Sequence, residues 1–278
     1  MSGRKNYYKK MKPKIFITGS SGFIGFHVAK KLLDLGLKVH GYDSMNSYYD
    51  VNLKRARLSI LKKYKNFSFT KGLLENEKKV RNINFRFKPN IIIHLGAQAG
   101  VRHSINNPNI YIKSNIIGTY NILKIASKMK IKHLLIGSSS SVYGANKDFP
   151  FKEIDKTDHQ VSLYAATKKN AENMAHSFSS LWQLPVTILR FFTVYGPWGR
   201  PDMAYFKFTK NILEGKKIDI YNKGQMYRDY TYIDDVVNGI YKLLKKTPSI
   251  NSNRKFKNDS LSPVAPFRIL NIGNTKKI

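Results

Sequence analysis

Short apolar runs alternate with longer mixed segments along most of this chain. Lys14-Ile-Phe-Ile-Thr18, Lys38 to Tyr42, Phe67 to Thr70, Ile91 to Leu95, Leu134 to Gly137 and Val186 to Leu189 each have the length of a strand. Phe26 to Leu35, ended by Gly36, reads as a helix, and so do Ile110 to Met129 and Ser162 to Trp182. Strand alternating with helix predicts an α/β fold, a parallel sheet with helices on both faces. No internal repeat is visible. Past Arg190 the pattern loosens: Pro248 to Pro266 is a polar loop, and Phe267 to Ile272 is a final strand-like run. The expected organisation is a basic, disordered extension over 1–12, a first domain over 13–190, and a smaller part over 191–278 interleaved with it. Met11 would be a natural opening for the first strand, so the native start is expected at Met1 or Met11.

The first strand runs straight into Gly19-Ser-Ser-Gly22-Phe23-Ile24-Gly25. Gly19 permits a tight turn, Gly22 lets backbone N–H groups approach a pyrophosphate, and Gly25 allows close packing of helix on strand. Asp43 follows about twenty residues on, at the end of the second strand, where an acid accepts from an adenosine ribose and repels a 2′-phosphate. Strand, glycines, helix and acid together predict a Rossmann-type, doubly wound domain that binds NAD rather than NADP. Lys54, Arg55 and Arg57 could argue for NADP, but a solvated helix face is the expected role.

The chain has 278 residues, 42% of them hydrophobic, enough for a full core. It contains no Cys, so a thiolate nucleophile and a Cys metal site are excluded and a cytoplasmic setting is expected. No apolar run approaches the roughly 18 residues of a membrane span. The formal charge of +32 comes from 49 Lys and Arg against 17 Asp and Glu. These charges are scattered along the chain without a nucleic-acid signature. Weak, salt-sensitive binding to polyanions is expected, and a specific nucleic-acid partner is not. The His residues share no metal-ligand spacing, and Asp234-Asp235 is expected to cap a helix, so no metal site is predicted.

Tyr164 and Lys168 lie four apart on one helix face. A nearby ammonium favours phenolate, which would make Tyr164 a general base and then a general acid near pH 7. A Ser run, Ser138 to Ser141, lies upstream.

Glycine loop, Ser run and Tyr/Lys pair together resemble the extended short-chain dehydrogenase/reductase family of NAD-dependent nucleotide-sugar enzymes. Five stretches are similar to UDP-glucuronate 4-epimerases in particular: His94 to Arg102, Ser138 to Gly144, Ser162 to Lys168, Arg190 to Met203 and Arg228 to Asp235. The resemblance implies that Tyr164 removes the proton of the sugar 4-hydroxyl while C4 passes a hydride to NAD, with Lys168 holding the nicotinamide ribose and Ser139 bonded to the same sugar oxygen. The 4-keto sugar then turns over and takes the hydride back on its other face. It further implies that Ser140, Ser141 and Thr193 hold the uronate carboxylate away from decarboxylation. Arg200 and Arg228 would meet the UDP pyrophosphate, with Arg102 a weaker candidate. A homodimer through the helices at 110–129 and 162–182 is implied as well.

Two departures stand out. Where the family places an Asp against the adenine amine, this chain has Lys71-Gly-Leu-Leu-Glu75, with Glu75 as the only substitute in that run. The family also continues for several tens of residues past the final strand, so the substrate domain is expected to be truncated. Alternative readings are a UDP-glucose 4-epimerase, a nucleotide-sugar decarboxylase or dehydratase, or a catalytically impaired nucleotide-binding protein.

Overall fold

A computed structural model of the chain describes residues 13–225, 227–250 and 259–275. The extension at 1–12 and the question of the start lie outside the described residues, as do residues 251–258 of the polar loop before the last strand. The strands are β1 Lys14–Thr18, β2 Lys38–Asp43, β3 Phe67–Lys71, β4 Ile91–His94, β5 His133–Ser139, β6 Val186–Phe191, β7 Thr193–Tyr195, β8 Tyr230–Tyr232 and β9 Phe267–Ile272. The main helices are α1 Phe23–Asp34, α2 Val51–Lys62, α3 Glu77–Phe87, α4 Gly118–Lys128, α5 Leu163–Trp182, α6 Ala204–Leu213 and α7 Ile233–Leu243.

Seven strands form one parallel sheet in the order β3-β2-β1-β4-β5-β6-β9. The doubly wound α/β expectation holds. Side-chain alternation sends neighbouring residues to opposite faces. Ile15, Ile17, Ile93, Leu135 and Leu189 pack on one side with Phe26, Ala29 and Leu33 of α1. Phe16, Ile92, Leu134, Ile136 and Ile188 pack on the other with Ile122 and Ala126 of α4 and Ala175 of α5. Strands covered on both faces read as continuous apolar runs, which is why they were legible.

The later part of the chain is built into the same core. β9 extends the sheet beside β6, and Val236, Val237 and Ile240 of α7 join the cluster around α1. β7 and β8 form a separate parallel pair beyond the end of β6, with Thr193 opposite Tyr230. By contrast, α6 buries none of its residues. Among the described residues no helix is long and apolar enough to cross a membrane.

The segment expected as one helix from Ile110 to Met129 is helical throughout but not uniform. A turn at Pro108–Tyr111 leads into a π segment, Ile112–Ile117, before α4 begins. Basic residues on α2 depart more sharply from expectation. Arg55 faces solvent, but Lys54 and Arg57 are buried, because positions three apart share the inward face.

Candidate active site

Strand order reverses between β1 and β4, and the carboxyl ends of these strands open a crevice there. The glycine loop occupies its floor. Gly19 has φ +71°, a region an L side chain rarely adopts, and a Cβ there would lie 2.7 Å from the Gly96 nitrogen in the loop after β4. A Cβ on Gly25 would lie 2.0 Å from the Gly19 oxygen, so the helix approaches the turn only because position 25 is bare. Gly22 is the N-cap of α1, and no side chain caps the helix there. Its first N–H groups are therefore left to a ligand, and the helix dipole favours a negatively charged one. Phe23 is buried under the turn and Ile24 packs against the core.

Asp43 is buried at the end of β2. One carboxylate oxygen accepts from the Ser21 N–H at 3.0 Å and the other from the Met45 N–H at 2.8 Å. Both bonds fix the carboxylate beside the glycine loop, and each oxygen keeps a lone pair for a ribose hydroxyl. This cradle fits a dinucleotide. The Lys54 ammonium is held by the Asn46 carbonyl at 2.7 Å and side-chain oxygen at 2.6 Å. Leu73 is 51% exposed, and Glu75 carries one buried carboxylate oxygen with no hydrogen-bond partner among the described residues.

Tyr164 and Lys168 occupy the first two turns of α5, whose N-cap Ser162 accepts from the Ala165 N–H. The buried Lys168 ammonium donates to the Gly137 carbonyl of β5 at 2.8 Å. Burial pulls its pKa down to about 8, opposed by the charge of Glu172 one turn further on. Tyr164 departs from the sequence expectation. Burial raises its phenol above the ordinary value, against downward pulls from the Ser139 hydroxyl and the Arg200 charge. Lys168 is committed to the strand carbonyl, so Ser139 and Arg200 are the groups that favour phenolate.

Ser139 ends β5 and caps the turn Ser140–Tyr143, accepting from the Ser141 N–H at 3.2 Å and donating to the Ser141 hydroxyl at 3.1 Å. Register pairs Ser139 with Phe191 across β5 and β6, and Thr193 follows two residues later. Ser139, Ser140, Ser141 and Thr193 are thus gathered at the carboxyl ends of two adjacent strands, each partly exposed.

Arg200 forks onto Asp202, with contacts of 3.0 and 2.5 Å, and Asp202 also accepts from the Tyr48 hydroxyl at 3.1 Å. The structure brings Arg200 within electrostatic reach of Tyr164. Arg228 is exposed and donates to the neighbouring Tyr227 carbonyl at 2.9 Å, and Arg102 is exposed at the start of a short helical turn.

A model of the NAD-dependent epimerase/dehydratase family matches residues 15–257. The chain belongs to that family. Among curated relatives it is 52% identical over 266 residues to Protein CapI of Staphylococcus aureus, covering 95% of this chain and 79% of that one. It is 48% identical over 268 residues to a probable UDP-glucuronate 4-epimerase of Rhizobium meliloti, covering 95% and 78%. Among solved structures it superposes with a TM-score of 0.83 at 31% identity on UDP-glucuronic acid 4-epimerase from Bacillus cereus in complex with UDP-glucuronic acid and NAD, covering 95% and 79%.

Two buried polar residues beside these elements were not singled out in the sequence. Asn115, in the π segment, is buried and joins loop to helix: its amide donates to the Gln98 carbonyl and the Thr167 hydroxyl, both at 3.0 Å, and its oxygen accepts from the Gln98 N–H at 2.7 Å. Nothing in the sequence marks a single Asn among apolar neighbours, although π segments often occur at functional sites. Glu172 had a signal, since it stands four beyond Lys168 and eight beyond Tyr164 on the same face. It is 2% exposed, pairs with the 1% exposed Arg190 at 2.8 and 2.9 Å, and accepts from Ser138 at 2.7 Å. His94 is buried between the hydroxyls of Thr18 and Thr119 at 2.7 and 3.1 Å. Asp234 and Asp235 sit in the first turn of α7, but the N-cap is Tyr232, so they complement the helix dipole rather than cap it. No cluster able to hold a metal ion occurs among the described residues.

Proposed function

We propose that this chain catalyses the NAD-dependent 4-epimerisation of UDP-glucuronate to UDP-galacturonate through a 4-keto sugar. The observation that carries the reading is the meeting of Tyr164, Ser139 and Lys168 beside an uncapped glycine loop, with the hydroxyls of Ser140, Ser141 and Thr193 at the adjoining strand ends. NAD, when bound, accepts the C4 hydride and gives it back. The residues that would hold it are Gly19, Gly22, Phe23, Ile24 and Gly25 at the pyrophosphate, Asp43 at the adenosine ribose, and Tyr164 with Lys168 at the nicotinamide side.

The protein supplies the proton chemistry. Tyr164 takes the 4-hydroxyl proton as that carbon is oxidised, and returns it when the ketone is reduced from the other face. The Ser139 hydroxyl, free to swing from Ser141 toward the substrate, bonds the same oxygen and favours phenolate. Arg200 contributes positive charge as phenolate forms. Lys168, whose pKa burial pulls down to about 8, is held by the Gly137 carbonyl at the nicotinamide side of the site.

A 4-keto uronate is a β-keto acid and loses carbon dioxide when its carboxylate bond aligns with the carbonyl π system. Ser140, Ser141 and Thr193 hold that carboxylate out of alignment by hydrogen bonding. Arg200 meets the UDP pyrophosphate together with Arg228, and Arg102 is a weaker member of the same set. Residues 13–190 form the cofactor side and 191–278 the substrate side, interleaved through β9.

The proposal includes a homodimer, formed where Ile117 and Tyr120 near α4 and Leu181 and Trp182 at the end of α5 expose apolar surface. It also includes a cytoplasmic setting, in keeping with a chain free of Cys. The test is to supply purified protein with NAD and, separately, UDP-glucuronate and UDP-glucose. Proton NMR should show UDP-galacturonate from the first and little conversion of the second. Preferential conversion of UDP-glucose makes the protein a UDP-glucose epimerase, and a UDP-pentose makes it a decarboxylase.

A further inference from the structure

Arg57 stands outside every role assigned above. None of its surface is exposed, and among the described residues no carboxylate pairs with it. Its guanidinium is spent instead on backbone carbonyls of two loops and on the Tyr49 hydroxyl. Nη1 donates to the Ser21 carbonyl at 3.0 Å and the Tyr49 hydroxyl at 2.7 Å, while Nη2 donates to the Trp198 carbonyl at 2.6 Å and the Gly199 carbonyl at 3.2 Å. Ser21 belongs to the glycine loop. Trp198 and Gly199 immediately precede Arg200.

The second loop needs holding. Trp198 has φ +59°, a left-handed conformation that a bulky residue adopts only under constraint. Besides Arg57, the Trp198 ring packs on Phe26 at 5.8 Å, and the Pro197 carbonyl bonds His27 at 2.9 Å. Every one of these anchors lies on α1 or α2, at the cofactor side of the crevice. The loop that carries Arg200 is therefore shaped by the elements that shape the glycine loop.

We propose that Arg57 is a positioning residue that makes the glycine loop and the Trp198–Asp202 loop one body, so that the dinucleotide and the UDP moiety bind with positive coupling. A ligand seated at the N-terminus of α1 orders Ser21, and through the two arms of one guanidinium it orders the carbonyls beside Arg200. The second ligand then meets a loop whose ordering cost has been met. Only a planar fork reaches both loops at once; a Lys ammonium is a single point on a flexible stem.

The inference rests on the functional reading above, and one experiment separates their failures. The Kd for UDP is measured by calorimetry with and without saturating NAD in the parent, in Arg57→Lys and in Tyr49→Phe, each checked for folding by circular dichroism. The parent should bind UDP about 5-fold or more tightly when NAD is present, the lower end of usual coupling. Arg57→Lys should bring the two values together, and Tyr49→Phe, which removes one of Arg57's bonds, should narrow the gap. A purely structural role would lower thermal stability and leave the ratio alone. Should Arg57→Lys fail to fold, the narrowing in Tyr49→Phe decides the matter. Folded Arg57→Lys with the parent ratio overturns the inference, and so does a parent that binds both ligands independently. A parent that binds neither removes the functional reading and the inference together.

Discussion

Changing Glu172 to Gln alters one charge in the middle of the fold and leaves the shape nearly intact. Glu172 and Arg190 are 2% and 1% exposed, and the carboxylate receives two guanidinium N–H bonds at 2.9 and 2.8 Å together with the Ser138 hydroxyl at 2.7 Å. An amide can accept through one atom only, so its NH2 group faces a donor and the Arg190 charge is left uncompensated. Breaking a buried pair from one side costs about 3–5 kcal/mol. For a chain of this size each kcal/mol is worth about 2 °C of Tm, so the variant should melt about 6–10 °C below the parent. The assay is a reversible thermal melt of parent, Glu172→Gln, Arg190→Met and the double variant Glu172→Leu/Arg190→Met. Because an apolar pair avoids the desolvation of both charges, the double variant should lie closer to the parent than either single change. A Glu172→Gln melt within about 1 °C of the parent, or a double variant less stable than both singles, refutes the reasoning.

Two further outcomes follow from the same geometry. Tyr164→Phe removes the proton carrier and keeps the ring packed against Tyr111, so turnover should fall about 10²- to 10⁴-fold while NAD binding, followed by protein fluorescence, stays near the parent value; substantial remaining turnover would sink the role given to that phenol. Lys168 titrates near 8 in the folded chain, below its ordinary value, so the unfolded chain binds more protons in the window above pH 8 and folding stability gains as pH rises through it. Relative to Lys168→Met, the parent should therefore gain Tm from about pH 8 to pH 10, and a constant difference across that range contradicts the buried, strained ammonium.

The inner strands were legible because they are buried on both faces and read as unbroken apolar runs. Ile91 to Leu95 illustrates this, since it overlaps β4, Ile91–His94, all of whose residues are buried. The glycine loop was legible for another reason: close approach at Gly19 and Gly25 admits no other residue. What sequence periodicity does not show is the partner across space. Lys168 invites the inference that it acts on Tyr164, yet its nearest acceptor is the carbonyl of Gly137, thirty-one residues earlier in the chain. Arg57 looks like one more surface cation in a chain of net charge +32, and its acceptors at Ser21, Tyr49 and Trp198 come together only in the fold. Arg228, given to the pyrophosphate by the family resemblance, stands exposed on the loop before β8.

The central claim is that C4 of a UDP-uronate is oxidised and reduced again within one closed cycle at Tyr164. UDP-glucuronate carrying deuterium at C4 tests it most directly, with NAD present and the product read by NMR and mass spectrometry. The account predicts UDP-galacturonate with the deuterium still on C4 and no accumulation of NADH. Loss of the label to solvent, or a UDP-pentose formed with release of carbon dioxide, would contradict it.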